Sequence, residues 1–142
     1  TFPHGFTYSG HPVACAVALR NLRILEEEGL VERARATGEV LRAGLEELRR
    51  HELVGDVRSL GLLGGVELVR DRATRRSFEP GDGVGRRVVL AAMEQGVLTR
   101  PLGGDVIAFS PPLVITAAEM SHAVETVGRA IEQVTAELSR AG

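Results

Sequence analysis

Residues 4–19 read HGFTYSGHPVACAVAL and place a glycine-containing turn directly before a long run of helix-forming residues. Gly5 and Gly10 permit a sharp turn, the hydroxyl groups of residues 7–9 can donate hydrogen bonds, and Pro12 suits a first helical turn, which needs no N–H there. The N-terminus of such a helix adds oriented amides and a partial positive charge. This stretch therefore predicts a phosphate-binding turn, with an ordinary capped helix start as the alternative.

The order FTYSGHPVA at residues 6–14, after His4 and Gly5, resembles the segment that follows the catalytic lysine in class III pyridoxal-phosphate-dependent aminotransferases. These are fold type I enzymes, and they include omega-amino acid and amine:pyruvate transaminases. Weaker similarity continues through Asn21, GLLGG at 61–65, TRP at 99–101 and SPPLVIT at 110–116. The resemblance therefore covers essentially the whole chain.

The fold class that this resemblance implies is α+β. It is that of the C-terminal small domain of a fold type I transferase, in which helices pack on a small, mostly antiparallel sheet and a long bridging helix comes first. Residues 1–28 are expected to form the end of the large cofactor-binding domain together with the bridging helix. Residues 29–142 are expected to form the small α+β domain.

Hydrophobic periodicity divides the chain into predicted helices and strands. Helices are predicted over about 12–28, 30–50 and 84–95 and after the capping box at 116–119. Strands are predicted over 54–60 and 62–69, as two strands or one bent strand, and over 97–100 and 106–109 around a turn at 102–105. Residues 70–83 are expected to form a surface loop before the third helix. The first helix is expected to be well buried at its start, with Cys15 packed in a helix core.

All 17 basic residues of the chain are arginine, and none is lysine. Amino transfer by pyridoxal phosphate proceeds through a lysine that forms a Schiff base with the cofactor and then moves a proton. The chain therefore offers no catalytic residue of its own, and we expect it to be inactive alone. The resemblance implies that the lysine lies upstream of Thr1.

The resemblance also assigns roles to three residues. Thr7 is expected to donate a hydrogen bond to the phosphate of pyridoxal 5'-phosphate held by the other subunit of a homodimer, so that the active site is shared across the interface. Phe6 is expected to line the partner's substrate pocket, with simple interface packing as the alternative. Arg100, just before Pro101, is expected to bind the carboxylate of an amino or keto acid through its two-pronged guanidinium, with a surface salt bridge as the alternative.

Composition gives no support to a nucleic-acid or membrane partner. The formal net charge is −2, and the arginines are interleaved with glutamates instead of forming a basic block. The longest uncharged run, residues 1–19, contains His, Ser, Thr and Gly and has no apolar stretch long enough to cross a bilayer. A single cysteine excludes an internal disulfide and fits a reducing compartment, so a cytoplasmic location is expected.

No metal site is predicted. His4 and His11 lie seven residues apart on turn-forming backbone, His51 and His122 stand alone, and no cysteine or carboxylate cluster completes a ligand set. The three glycines within 81–85 resemble part of a dinucleotide fingerprint, but no apolar strand leads into them. They are interpreted as a turn.

The reaction that the resemblance implies is a two-stage transfer of an amino group from an amine or omega-amino acid to a keto acid such as pyruvate. A diamine or aminobutyrate type is the next choice. Two other classes remain open at this point: a non-catalytic dimerising or regulatory module from a truncated homologue, and a related fold type I racemase or aminomutase.

Overall fold

A computed structural model describes residues 4–141 as four helices and four strands. In chain order these are α1 (Pro12–Glu27), α2 (Leu30–Leu48), β1 (Val54–Leu60), β2 (Leu63–Leu68), α3 (Val84–Glu94), β3 (Arg100–Leu102), β4 (Val106–Phe109) and α4 (Ala117–Ala141). The strands form one sheet in the order β1-β2-β4-β3, and every neighbouring pair is antiparallel. The predicted α+β class is confirmed, and residues 54–69 form two strands instead of one bent strand.

The β1–β2 hairpin turns at Gly61 and Leu62. Its last strand pair joins Leu60 to Leu63, and Gly61 has φ +54°, a left-handed conformation that glycine adopts without steric cost. On β2, Val66 is fully buried while Leu63 is exposed, so one face of the sheet is covered and the other is open.

Helices α2 and α3 cover the buried face of the sheet, and α4 packs on these two helices. The long α2 packs on β1 and β2, and α3 packs against β3 and β4. The helix predicted from residue 30 is confirmed as α2, and its buried side includes Thr37, Leu41, Leu45 and Leu48. The largest fully buried side chains come from both layers: Leu41, Leu45, Leu68, Ile107, Met120 and Ile131.

The capping box at the start of α4 is also confirmed. The Glu119 carboxylate accepts hydrogen bonds from the Thr116 amide (2.8 Å) and the Thr116 hydroxyl (2.7 Å), and the Thr116 hydroxyl accepts one from the Glu119 amide (3.2 Å). The two bonds to the carboxylate, first the one from the Thr116 amide and then the one from its hydroxyl, hold the pKa of Glu119 below its ordinary value. The box thus fixes where the longest helix begins.

The prediction of a well-buried start for α1 is wrong. No residue of α1 is buried, Val13 is 66% exposed, Val17 is 64% exposed, and Cys15 is exposed instead of packed in a helix core. The physical reason is that α1 packs on the beginning of α2 and has no second layer over it within residues 4–141. No helix in this part of the chain is both long and apolar enough to span a bilayer.

The strand predicted over 97–100 is displaced toward the C-terminus. Only Arg100 of that range belongs to β3, because the Val97 amide still donates to Ala92 at the end of α3 and Gly96 turns with φ +87°. The turn at 103–105 then pairs Leu102 with Val106 and so sets the register of the hairpin. Arg100 therefore begins a strand and does not end one.

Candidate functional site

The turn before α1 has the layout that the sequence predicts. The Ser9 amide donates to the Phe6 carbonyl (2.9 Å) and the His11 amide donates to the Tyr8 carbonyl (3.2 Å), while Gly10 adopts φ +77°. The helix begins at the next residue, Pro12. The Ser9 and His11 amides are therefore used within the turn, and the hydroxyl groups of residues 7–9 lie immediately before a helix N-terminus, whose partial positive charge favours a bound anion.

His11 caps α1. Its Nδ1 accepts a hydrogen bond from the Ala14 amide, at 3.5 Å between the two nitrogens. The side chain thus stabilises the end of the helix. His11 therefore has a structural role at the start of α1.

Thr7 and Phe6 lie on this turn with their side chains exposed. Within residues 4–141 the Thr7 hydroxyl forms no hydrogen bond, so it is available to an external acceptor. Phe6 is 65% exposed, and its ring meets the His4 ring edge-on at 5.2 Å between centroids. Each side chain is placed where it can contact a group outside this part of the chain.

Arg100 occupies the first position of β3, at the edge of the sheet, opposite Ala108 of β4. Its side chain is exposed, and no carboxylate of residues 4–141 forms an ion pair with its guanidinium. The Thr99 hydroxyl donates to the Ala108 carbonyl directly beside this pair. The next residue, Pro101, offers no amide, which an edge strand tolerates. The alternative role of Arg100, a surface salt bridge, therefore lacks a carboxylate partner in the described part of the chain.

A groove of about 520 Å³ adjoins Arg100. Its walls come from the segment before β3, from the end of β4 and from the first turns of α4, and they include Leu98, Phe109, Pro112 and Ile115. Sequence reasoning missed this groove, although the Pro111-Pro112 pair that ends β4 was visible. The groove is not lined by Phe6 or Thr7, so the described chain does not bring the three predicted site residues into one cavity.

The surroundings of His51 change the pKa of its imidazole. It is buried between the end of α2 and α4, its Nε2 has no hydrogen-bond partner, and its Nδ1 lies 3.7 Å from Glu132 Oε1. Burial lowers the pKa of His51, Arg50 lowers it further, and Glu132 partly opposes them.

Within residues 4–141, no group of three or more His, Cys, Asp and Glu residues could hold a metal ion.

The folded protein is expected to lose stability as the pH falls from about 7 through 6.5 because of His51. The unfolded chain takes up the proton at the ordinary pKa of histidine, whereas the folded chain takes it up only at lower pH, so protonation favours unfolding. Chemical denaturation between about pH 5 and 7 should show this slope, and His51→Gln should flatten it. The exposed His122→Gln variant is the control, and an unchanged slope in His51→Gln would contradict the assignment.

Comparison with known proteins decides the family. Residues 1–131 match the family model for aminotransferase class-III. The chain belongs to the class III aminotransferases. The structure also agrees: a thermostable omega transaminase variant from Pseudomonas jessenii superimposes with a TM-score of 0.85 at 46% identity, over 94% of this chain and 30% of the other. The small domain of this aminotransferase chain is therefore of the fold type I kind, as the resemblance implies.

Two curated relatives of this aminotransferase show the same partial coverage. An adenosylmethionine-8-amino-7-oxononanoate aminotransferase from Nitratidesulfovibrio vulgaris is 46% identical over 95% of the chain and 25% of its own length. A putrescine–pyruvate aminotransferase from Pseudomonas aeruginosa is 40% identical over 95% of the chain and 29% of its own length. The chain thus spans about a quarter to a third of the length of the relatives it matches.

Proposed function

We propose that this class III chain acts as the C-terminal part of a pyridoxal-phosphate-dependent aminotransferase, which moves an amino group from an amine or omega-amino acid to a keto acid such as pyruvate. The observation that carries the proposal is the free Thr7 hydroxyl on a turn that leads straight into α1, in a chain matched by the class III family over residues 1–131. The names of relatives that act as putrescine–pyruvate and omega transaminases support this substrate class.

Thr7 fits a phosphate group. Its hydroxyl has no acceptor in residues 4–141, it is exposed, and the partial positive charge of the α1 N-terminus follows within five residues. When bound, pyridoxal 5'-phosphate supplies the carbonyl and conjugated ring that take up the amino group. Thr7 would hold the phosphate of the cofactor bound by the partner subunit, and Phe6 beside it would line the partner's substrate pocket.

Arg100 fits a substrate carboxylate. Its guanidinium has no ion-pair partner in the described chain, and the Thr99 hydroxyl and the pairing with Ala108 hold the backbone that carries it. A planar guanidinium can bind both oxygens of a carboxylate at once. The apolar groove beside it would accommodate the carbon chain of an amino or keto acid.

The exposed surface of α1 supports a homodimer and the division of the chain into residues 1–28 and 29–142. Val13, Val17 and Leu22 are more than half exposed, and they lie on more than one side of the helix. A helix that is apolar on several sides is normally covered in the complete assembly. We therefore propose that α1 packs against a larger cofactor-binding domain and a second subunit. A reducing, cytoplasmic environment suits the exposed thiol of Cys15.

The absence of lysine favours a second candidate, a non-catalytic dimerising or regulatory module. The intact mass of the protein from its source cell separates the two candidates. A mass several-fold above 15.2 kDa, together with bound cofactor and keto-acid-dependent amino transfer, is the expected result. A mass equal to that of this chain, with no cofactor bound, would favour the module. Cofactor binding without consumption of keto acid would point to a racemase or aminomutase.

Thr7→Ala in the lysine-bearing enzyme is expected to weaken the binding of pyridoxal 5'-phosphate about tenfold while the fold is retained. A hydrogen bond to a charged group contributes about 1.5–3 kcal/mol, and part of that is recovered by water at an exposed site. Cofactor dissociation constants from fluorescence titration would measure the effect. Ser9→Ala on the same turn is the matched control, and equal affinities in the wild type and Thr7→Ala would exclude the phosphate role.

Arg100→Ala is expected to raise KM for carboxylate-bearing substrates about ten- to a hundredfold and to leave simple amines nearly unaffected. The lost interaction is a charge-assisted, two-pronged hydrogen bond that only a carboxylate can make. Steady-state kinetics with an amino acid and with an amine as donor, at saturating keto acid, would measure the difference. Arg100→Lys keeps the charge without the fork and should be intermediate. An equal loss with both donors would indicate a structural arginine.

A further inference from the structure

We propose that a cleft beside β1 binds a phosphoryl group, supplied either by inorganic phosphate or by a small phosphate ester. The cleft has a volume of about 500 Å³ and is lined by the end of α2, by β1 and β2, and by the loop that follows β2. Four arginines and two carboxylates face it: Arg49, Arg58, Arg72, Arg75, Asp56 and Glu67. We call it the arginine cleft. Thr7, Phe6 and Arg100 do not line it, so this proposal does not depend on the proposed function.

Two of the four arginines are already neutralised. Arg49 donates to Glu46 (2.7 Å) and to one oxygen of Asp56 (3.1 Å), and Arg58 donates to the other oxygen of Asp56 (2.9 Å) and to Glu67 (2.8 Å). Burial opposes ionisation of Asp56, but the hydrogen bond from Arg49 and further contacts outweigh it, so the pKa of Asp56 is lowered. The carboxylates of the cleft are therefore committed to Arg49 and Arg58.

Arg72 keeps an unbalanced charge. Its Nε and Nη2 donate only to backbone carbonyls, those of Val54 (2.9 and 2.6 Å), Arg49 (2.6 Å) and His51 (2.7 Å). These carbonyls hold the guanidinium in a fixed orientation but carry no net charge. Within residues 4–141 no carboxylate pairs with Arg72, and its Nη1 has no acceptor. The cleft thus contains a cation that is already oriented and still has a donor to offer.

Arg75 adds a second unpaired cation. Its guanidinium lines the same cleft and forms no ion pair or hydrogen bond within residues 4–141. Its backbone has φ +56°, a left-handed conformation that is unfavourable for a residue with a long side chain. An outlier of this kind is a reason to look for a role for the side chain that it positions.

A β-bulge forms part of the cleft wall that these two arginines share. The register of β1 and β2 shifts between Val54 and Asp56, which leaves Gly55 outside the ladder and on the wall of the cleft. A Cβ atom on Gly55 would lie 2.6 Å from Val69 Cγ1, so the packing of Val69 against the bulge requires glycine here. Arg72 and Arg75 thus lie on the cleft without a carboxylate partner in residues 4–141, and a phosphoryl group matches the two-pronged donor geometry of arginine.

Titration of the isotope-labelled full chain with inorganic phosphate at constant pH and ionic strength tests the proposal. Amide shifts are expected at Gly55 and within residues 71–76, and Arg75→Asn should weaken the affinity at least about tenfold. Asparagine tolerates the left-handed conformation, and Arg75→Gly is the second variant in case the first perturbs the loop. Arg86→Gln, which removes a charge on α3 outside the cleft, is the matched control and should bind as the wild type does.

Titrations with further ligands and variants identify the source of the phosphoryl group and distinguish the arginine cleft from the turn before α1. Tighter binding of glycerol 3-phosphate than of inorganic phosphate would assign the cleft to an ester, and the reverse order would assign it to the free ion. Thr7→Ala should leave the shifts of Gly55 and residues 71–76 unchanged. Shifts confined to residues 7–14, an unchanged affinity in both Arg75 variants, or equal binding of succinate would overturn the proposal.

Discussion

Gly38→Ala is expected to lower the free energy of unfolding by about 3 kcal/mol, although alanine is the better helix former. Gly38 is buried in the middle of α2, and a Cβ atom there would lie 2.7 Å from the carbonyl carbon and oxygen of Gly61. Those atoms belong to the backbone of the β1–β2 turn and cannot rotate away. The added methyl group would therefore push α2 off the hairpin and disturb the layer that covers the sheet.

Gly44→Ala is the matched control for this prediction. It lies in the same helix, but its new methyl group would meet the Val124 side chain at 3.0 Å instead of backbone. A side chain can shift, and alanine gains about 1 kcal/mol of helix propensity, so the net change should be within about 1 kcal/mol of zero. Thermal unfolding should show a midpoint about 6–12 °C lower for Gly38→Ala. A Gly38→Ala protein as stable as Gly44→Ala would show that α2 and the turn are not in such close contact.

Leu41→Ala is expected to cost about 3–4 kcal/mol of unfolding free energy. Leu41 is fully buried on α2 and points toward β2 at Gly64, where an added Cβ would lie 3.3 Å from Leu41 Cδ2. Because Gly64 has no side chain, it cannot fill the space that the leucine vacates. The cavity should therefore remain, which places the loss in the upper part of the usual range for this substitution.

Two further variants keep this second prediction testable. Leu98→Ala makes the same change at a position that is 83% exposed, and we expect a loss below about 0.5 kcal/mol. Leu41→Met conserves volume and should cost less than about 1.5 kcal/mol. Urea denaturation of the three variants would measure all the differences. A Leu41→Ala loss no larger than that of Leu98→Ala would contradict the packing of α2 on β2.

Much of the fold and of the candidate site could be predicted because the deciding contacts are local. The capping box joins Thr116 to Glu119 three residues away, and the turn before α1 closes between Phe6 and Ser9. The buried stripe of α2 repeats every three or four residues and can therefore be recognised in the sequence. The motif at residues 6–14 likewise lies in one continuous segment, and it identified the family correctly.

The sequence by itself determined the class of the fold, the family, the starts of α2 and α4 and the turn that carries Thr7, since each depends on neighbours a few residues apart. Only the tertiary structure decided that α1 and Cys15 are exposed, that Arg100 begins β3, and that Arg72 joins the carbonyls of residues 49–54 in the arginine cleft. Periodicity shows which residues of an element are apolar but not which layer covers them. Strand register and charge pairing depend on residues far apart in the chain, which come together only when the helices and the sheet pack.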